Sequence, residues 1–254
     1  MKVVMALGIC ALCREEADLQ ESHYVPTALY PKNSELEYQT LAAVRPVEDE
    51  ILSPLLCQVC ETRFNRNGET EVLRHIAPKI AKKRFPLHEK MRLGFARQEY
   101  RDIKRFAGYD IGMDMDKFAY FALSLVWRGA VRDWPKPDGV LTTPLPLNAY
   151  TEGVRQYLLG GALPPDTAVI VIVCSDEESR RRWFLPCAHV EHHCMNFRFQ
   201  LMGVFFRVMM GKHLPQLFRD GSCTSPRKCI VYGDGKKKTI EAFDYMEAMR
   251  NYIP

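Results

Sequence analysis

A chain of 254 residues, 47% hydrophobic and 26% charged, has the make-up of an ordinary globular protein of one large or two smaller domains, which excludes long disorder. Its net charge of +4 excludes a polycation that binds acidic partners over its whole surface. No apolar run approaches the roughly 18 residues of a membrane span, and the longest candidate, Phe118 to Val126, is followed closely by Arg128.

Met1 to Ile9 is short and apolar, carries one lysine, and runs straight into a cysteine pair. It reads as a strand and not as an export signal, so a soluble, cytoplasmic protein with reduced thiols is expected. The pair is Cys10-Ala-Leu-Cys13, and a second, Cys57-Gln-Val-Cys60, follows after a medium insert. Two cysteines three apart in a tight turn place both sulfurs on one side of the backbone. Two such turns supply the four thiolates of a tetrahedral zinc site, so Cys10, Cys13, Cys57 and Cys60 are the expected metal ligands. Between the pairs, Leu19 to Val25 has the mixed polarity of a half-exposed strand and Pro26 ends it. Leu52 to Leu56 feeds the second turn, and a helical pattern with Phe64, Val72, Leu73 and Ile76 facing inward follows, interrupted by Asn67-Gly68.

From Arg74 to Arg105 there are eleven lysines and arginines against three acids, a net +8, twice that of the whole chain. Phe85, Phe95, Tyr100 and Phe106 are interleaved. The stretch fits contact with a phosphate backbone, carried by Lys79, Lys82, Lys83, Arg84, Arg92, Arg97 and Arg101, or a solvated helix face. Asp114 then caps a strong helix from Met115 to about Asp133, apolar over most of its circumference, in which Arg128 is expected to meet a buried acid or a backbone carbonyl. Tyr150 to Leu159 reads as a helix ended by Gly160-Gly161. Thr167 to Cys174 reads as a buried strand, Met195 to Leu201 and Val204 to Met210 as a hairpin, Lys228 to Tyr232 as a last strand, and Ile240 to Tyr252 as a terminal helix. Cys187, His189, His192, His193 and Cys194 lack a four-ligand spacing and read as a loop beside the hairpin.

The combination Cys10-x-x-Cys13, Ser22-His23-Tyr24-Val25-Pro26 and Leu55-Leu56-Cys57-x-x-Cys60-Glu61 resembles the zinc-bearing branch of the HNH endonucleases. The resemblance covers residues 3 to 76. It implies a ββα-metal module, a β-hairpin and a helix around one catalytic divalent ion. It further implies His23 as general base toward water attacking a phosphodiester, and Mg²⁺ or Mn²⁺ at the scissile phosphate. Glu61 falls where the family places its final His or Asn ligand. Two positions depart from the pattern. Ser22 stands at the usual acidic or His ligand, with Glu21 one residue earlier on the opposite face of a regular strand. Ile51-Leu52 stands where the central Asn is expected, with Asn33 and Glu69 as substitutes.

The expected architecture is α+β. An HNH-like zinc module occupies residues 1–76, a basic helical connector 77–109, and an α+β domain with a small antiparallel sheet and a central apolar helix 110–254. Two functions follow. One is a metal-dependent endonuclease, with DNA ahead of RNA as substrate. The other is a catalytically inactive, zinc-stabilised adaptor that binds nucleic acid or protein. A protein partner or an oligomer would form through residues 110–254.

Overall fold

The computed structural model describes residues 6–30, 37–39, 44–46, 50–77, 85–100, 103–135, 141–176, 182–191 and 193–233. The expected terminal helix, Ile240 to Tyr252, lies outside them, as do Asn33, Lys79, Lys82, Lys83, Arg84, Arg101 and His192.

Three strands make a small antiparallel sheet in the order β1-β2-β5: β1 (Ala6–Ile9), β2 (Glu16–His23) and β5 (Leu52–Cys57). A single long helical segment follows. It begins as α1 (Gln58–Phe64), widens through one π-type turn at Asn65–Glu69, and resumes as α2 (Thr70–Ile76). Asn67-Gly68 therefore does not break the helix, as the sequence suggested. Gly68 serves a close approach instead: a Cβ there would sit 3.0 Å from the backbone nitrogen of Phe121. The neighbour is α4 (Met115–Val131), capped by the Asp114 carboxylate, which accepts from the amides of Asp116 and Lys117.

The second sheet is larger than expected. Among the described residues it has nine strands, in the order β4-β3-β9-β10-β11-β8-β12-β7-β6. They are β3 (Glu37–Gln39), β4 (Val44–Pro46), β6 (Gln98–Tyr100), β7 (Ile103–Ala107), β8 (Thr167–Cys174), β9 (Arg182–Glu191), β10 (Cys194–Leu201), β11 (Val204–Met210) and β12 (Cys229–Gly233). It is also mixed, not antiparallel, because β12 runs parallel to β8 and β3 parallel to β9. Three stretches account for the extra strands, the first being the insert between the cysteine pairs, whose β3–β4 hairpin joins the edge of this sheet at β9. The basic segment expected to be a helical connector holds α3 (Pro86–Leu93) and then the β6–β7 hairpin. The Cys/His-rich stretch expected to be a loop is mostly strand β9, which pairs with β10.

Strand β8 is buried along its whole length, and its period of two divides it between two apolar layers. Val169, Val171 and Val173 join the main core with α4 and α5 (Thr151–Leu158). Ala168, Ile170 and Ile172 face a smaller cluster with Leu214 and with Phe218 of α6 (Gln216–Asp220). The main core is continuous from Cys10 and Leu12 through Phe64, Phe121 and Trp127 to Phe206 and Ile230. The two cysteine turns and the nine-stranded sheet thus share one hydrophobic interior.

The end of α2 is tied to the start of α4. Buried Glu71 accepts from the Asp114 amide at 3.1 Å and lies 3.1 Å from His75 Nε2 and 2.7 Å from Arg74. Burial lowers the pKa of His75 despite the pull of Glu71, and Arg74 and Lys90 lower it further. A histidine held below its unfolded value near 6.5 takes up more protons when unfolded, so stability falls as pH drops below about 6.5. Urea unfolding of His75→Gln is expected to lack this part of the acid-side loss; an unchanged profile would contradict it.

Candidate metal centre and the adjoining carboxylate cluster

Cys10 closes β1, Cys13 lies in the following turn, Cys57 ends β5 and Cys60 sits in the first turn of α1. The register of β1 on β2 and of β2 on β5 brings the two turns together. The four ligand atoms lie within 4.8 Å of one another, with the Cys13 and Cys57 sulfurs 3.9 Å apart. Sulfurs at about 2.3 Å from a tetrahedral ion would be roughly 3.8 Å apart, so the donor set fits a metal such as zinc. The backbone is shaped for the same purpose. Arg14 takes the left-handed conformation (φ 67°) that closes the first turn, and the Cys57 amide donates to the Cys10 sulfur at 3.3 Å.

Helix α5 braces the first turn from the other side. Buried Arg155 donates to the Leu12 carbonyl at 2.6 Å and is held by Glu152, which also binds Arg14 at 2.5 Å. The thiols act on one another at this distance. A hydrogen bond from Cys60 holds Cys10 down at about 4 and pushes Cys60 up. Four sulfurs this close cannot all ionise without a cation among them.

The second site begins where β2 ends. Ser22 and His23 face opposite ways. Ser22 is buried, receives the Leu56 amide at 3.2 Å and donates to Glu61, the residue after Cys60. His23 is half-buried. Its Nε2 lies 2.6 Å from Glu50 and 2.8 Å from Thr27 Oγ1. The β2–β5 register shifts at Gln20/Glu21, yet Glu21 stays exposed and does not join the cluster.

The charged centre of this cluster comes from α4. Arg128 is fully buried. Its guanidinium sits 2.8 Å from Glu69 and 3.9 Å from Glu61, donates to the Tyr24 carbonyl at 3.4 Å, and lies 4.8 Å from the Phe64 ring centroid. Both expected partner types, a buried acid and a carbonyl, are therefore present. Burial raises the Glu61 pKa, against the pull of Arg128 and the donation from Ser22. Glu69 comes into reach because the π-type turn carries it back over α1.

This arrangement does not fit a catalytic Mg²⁺. Such an ion needs near-octahedral oxygen ligands at about 2.0–2.1 Å. Glu61 is engaged by Ser22, Glu69 by Arg128, and His23 by Glu50 and Thr27. The Arg128 guanidinium already occupies the cation's place between Glu61 and Glu69 and would repel a divalent ion brought to the same carboxylates. Among the described residues, the four-cysteine group alone brings three or more such ligand atoms together.

Sequence reading missed Glu50 and Thr27 as partners of His23. The signal was present in the acidic Glu48-Asp49-Glu50 run just ahead of β5 and in a threonine four residues beyond the histidine. Among the described members of the second cysteine/histidine group, no three ligand atoms come together. Cys187 donates to the Arg198 carbonyl at 3.4 Å and lies 3.6 Å from His189, while Cys194 is buried on β10. In the basic segment, Arg92 is exposed, Arg97 is paired with Asp110, and Phe106 belongs to the core. Among the described residues, no helix is long and apolar enough to cross a membrane. No protein-family model, curated protein or solved structure matches this chain, so the HNH resemblance rests on its residues alone.

Proposed function

We propose that the protein is a zinc-stabilised nucleic-acid-binding module on an HNH-like scaffold, in which the Arg128 guanidinium takes the place of the catalytic divalent ion. The observation that carries this reading is the Glu61–Arg128–Glu69 cluster beneath Ser22. Ser22 and Glu61 stand at the two sequence positions where the family places ligands, and they contact each other. The positive charge beside them is supplied covalently by α4. Zinc on Cys10, Cys13, Cys57 and Cys60 would fasten β1, β5 and α1 into one unit and leave the scaffold rigid without a second metal.

Nucleic acid is the partner class favoured by charge. The net +8 between Arg74 and Arg105 is concentrated in the chain that leaves α2. Phosphate contacts of this kind are sequence-tolerant and weaken steeply with salt. DNA and RNA both satisfy them.

The endonuclease reading keeps one specific support, the His23–Glu50 pair. A carboxylate beside an imidazole can orient it as a general base. The two readings part in one experiment. Zinc-loaded protein is mixed with labelled DNA and RNA, with and without Mg²⁺ or Mn²⁺, beside His23→Ala. Salt-dependent binding that ignores the divalent ion, with no cutting, is the expected result. Divalent-dependent cutting that vanishes in His23→Ala would establish the nuclease instead.

A further inference from the structure

We infer that the surface around Phe95, Arg97 and Tyr109 is a stacking platform for single-stranded nucleic acid. This rests on the nucleic-acid-binding reading above and narrows it to one strand type and one place.

Phe95 is 98% exposed, so its ring rests on almost nothing in its own chain. Two residues on, the Arg97 guanidinium lies 4.9 Å from the ring centroid of Tyr109, itself 62% exposed, and also contacts its hydroxyl. Leu93 is exposed beside them, as are the cations Lys90 and Arg92 on the last turn of α3. Two exposed aromatic faces and a cluster of cations therefore share one corner of the molecule. The rest of the basic stretch, with Lys79, Lys82, Lys83 and Arg84, precedes α3 in sequence.

This corner is held in place by its backbone. Gly94 has no room for a side chain, because a Cβ would meet the Lys90 carbonyl at 2.9 Å and the Phe106 ring at 3.2 Å. The Arg97 amide donates to the Arg105 carbonyl of β7 at 2.9 Å. Phe95 thus projects from a short loop pinned at both ends. Tyr109 stands on the turn just after β7.

The chemistry selects a single strand. A duplex hides its base faces inside the stack, whereas an unpaired base offers a π-face to an aromatic ring and its phosphates to nearby cations. An acidic peptide would use the cations but leave Phe95 uncovered. Asp110 is the opposing group: it binds Arg97 at 2.5 Å and competes with phosphate for it.

The test measures fluorescence anisotropy of labelled oligo-dT, oligo-U and a duplex of matched length with full-length, zinc-loaded protein. Phe95→Ala and Tyr109→Ala are each expected to weaken single-strand binding about tenfold, with little effect on the duplex. Asp110→Asn is expected to tighten it severalfold by freeing Arg97. Zinc content and circular dichroism confirm the fold of each variant. A duplex bound as tightly as the single strands, or unchanged binding in Phe95→Ala, would overturn the platform while leaving nucleic-acid binding intact. Absence of binding to all three probes would overturn both readings.

Discussion

Arg128→Met is expected to destabilise the zinc-loaded protein by about 3–5 kcal/mol, the usual effect of removing one partner from a buried ion pair. Arg128 is almost wholly shielded, with its side chain 2% exposed, and two carboxylates depend on it. Methionine fills much of the same volume against Phe64 but leaves Glu69 and Glu61 as uncompensated negative charges. Glu61, whose pKa burial already raises against the pull of Arg128, would then keep its proton to higher pH. A carboxyl group whose folded pKa is raised binds more protons when folded, so stability falls as pH rises through that pKa. The loss in Arg128→Met should therefore be smaller at pH 5 than at pH 8. The double variant Arg128→Met/Glu69→Gln should recover part of it, since one stranded charge is gone. Chemical denaturation at several pH values reads both effects. A loss below about 1 kcal/mol, or one that is flat with pH, would show that the cluster is solvated and that Arg128 is not its resident cation.

Cys60→Ala should abolish stoichiometric metal and lower the melting temperature by about 10–20 °C, corresponding to roughly 5 kcal/mol in a chain of this size. Small zinc-finger peptides owe their whole fold to the ion, at about 10–16 kcal/mol of binding. Here the loss should be smaller, because the four-cysteine site adjoins a core that runs on through α4 into the large sheet. Cys174→Ala provides the contrast. Cys174 is equally buried but lies on β8, apart from the four-cysteine group, and its substitution should leave one zinc per chain. Elemental analysis and calorimetry report the two quantities together. Full zinc in Cys60→Ala would contradict the assignment of the ligands.

The parts of this fold legible in the sequence are those fixed by local chemistry. The cysteine pairs announce themselves by spacing. Asp114 followed by an apolar run marks the start of α4, and TAVIVIVC from Thr167 can be little else than a strand buried on both faces. The β10–β11 hairpin follows from alternation about Met202-Gly203. What escaped reading depends on distant partners. Ile103 to Ala107 is basic on its own and becomes an interior strand because β6 and the distant β12 pair with its two edges. Cys187 and His189 read as part of a loop until β10 fixes them in a sheet. Asn67-Gly68 carries the local signature of a break, but the need for close contact with Phe121 prevails and the helix widens instead.

The candidate site divides in the same way. Its four cysteines were visible because both halves of each turn are neighbours in sequence. The carboxylate cluster was visible only in pieces, as a buried arginine in want of an acid and a serine where a ligand was expected. Glu61 and Glu69 lie eight residues apart, and nothing in their spacing says that a guanidinium from α4 enters between them. That insertion decides whether the scaffold can carry a catalytic ion.

The most direct measurement is a Mn²⁺ titration of the zinc-loaded protein, followed by electron paramagnetic resonance, with Glu61→Gln alongside. A resident guanidinium leaves no place for a second cation, so only weak, nonstoichiometric binding is expected, identical in the two proteins. One tightly held Mn²⁺ per chain that disappears in Glu61→Gln would show that a divalent ion, and not Arg128, is the cation of this site.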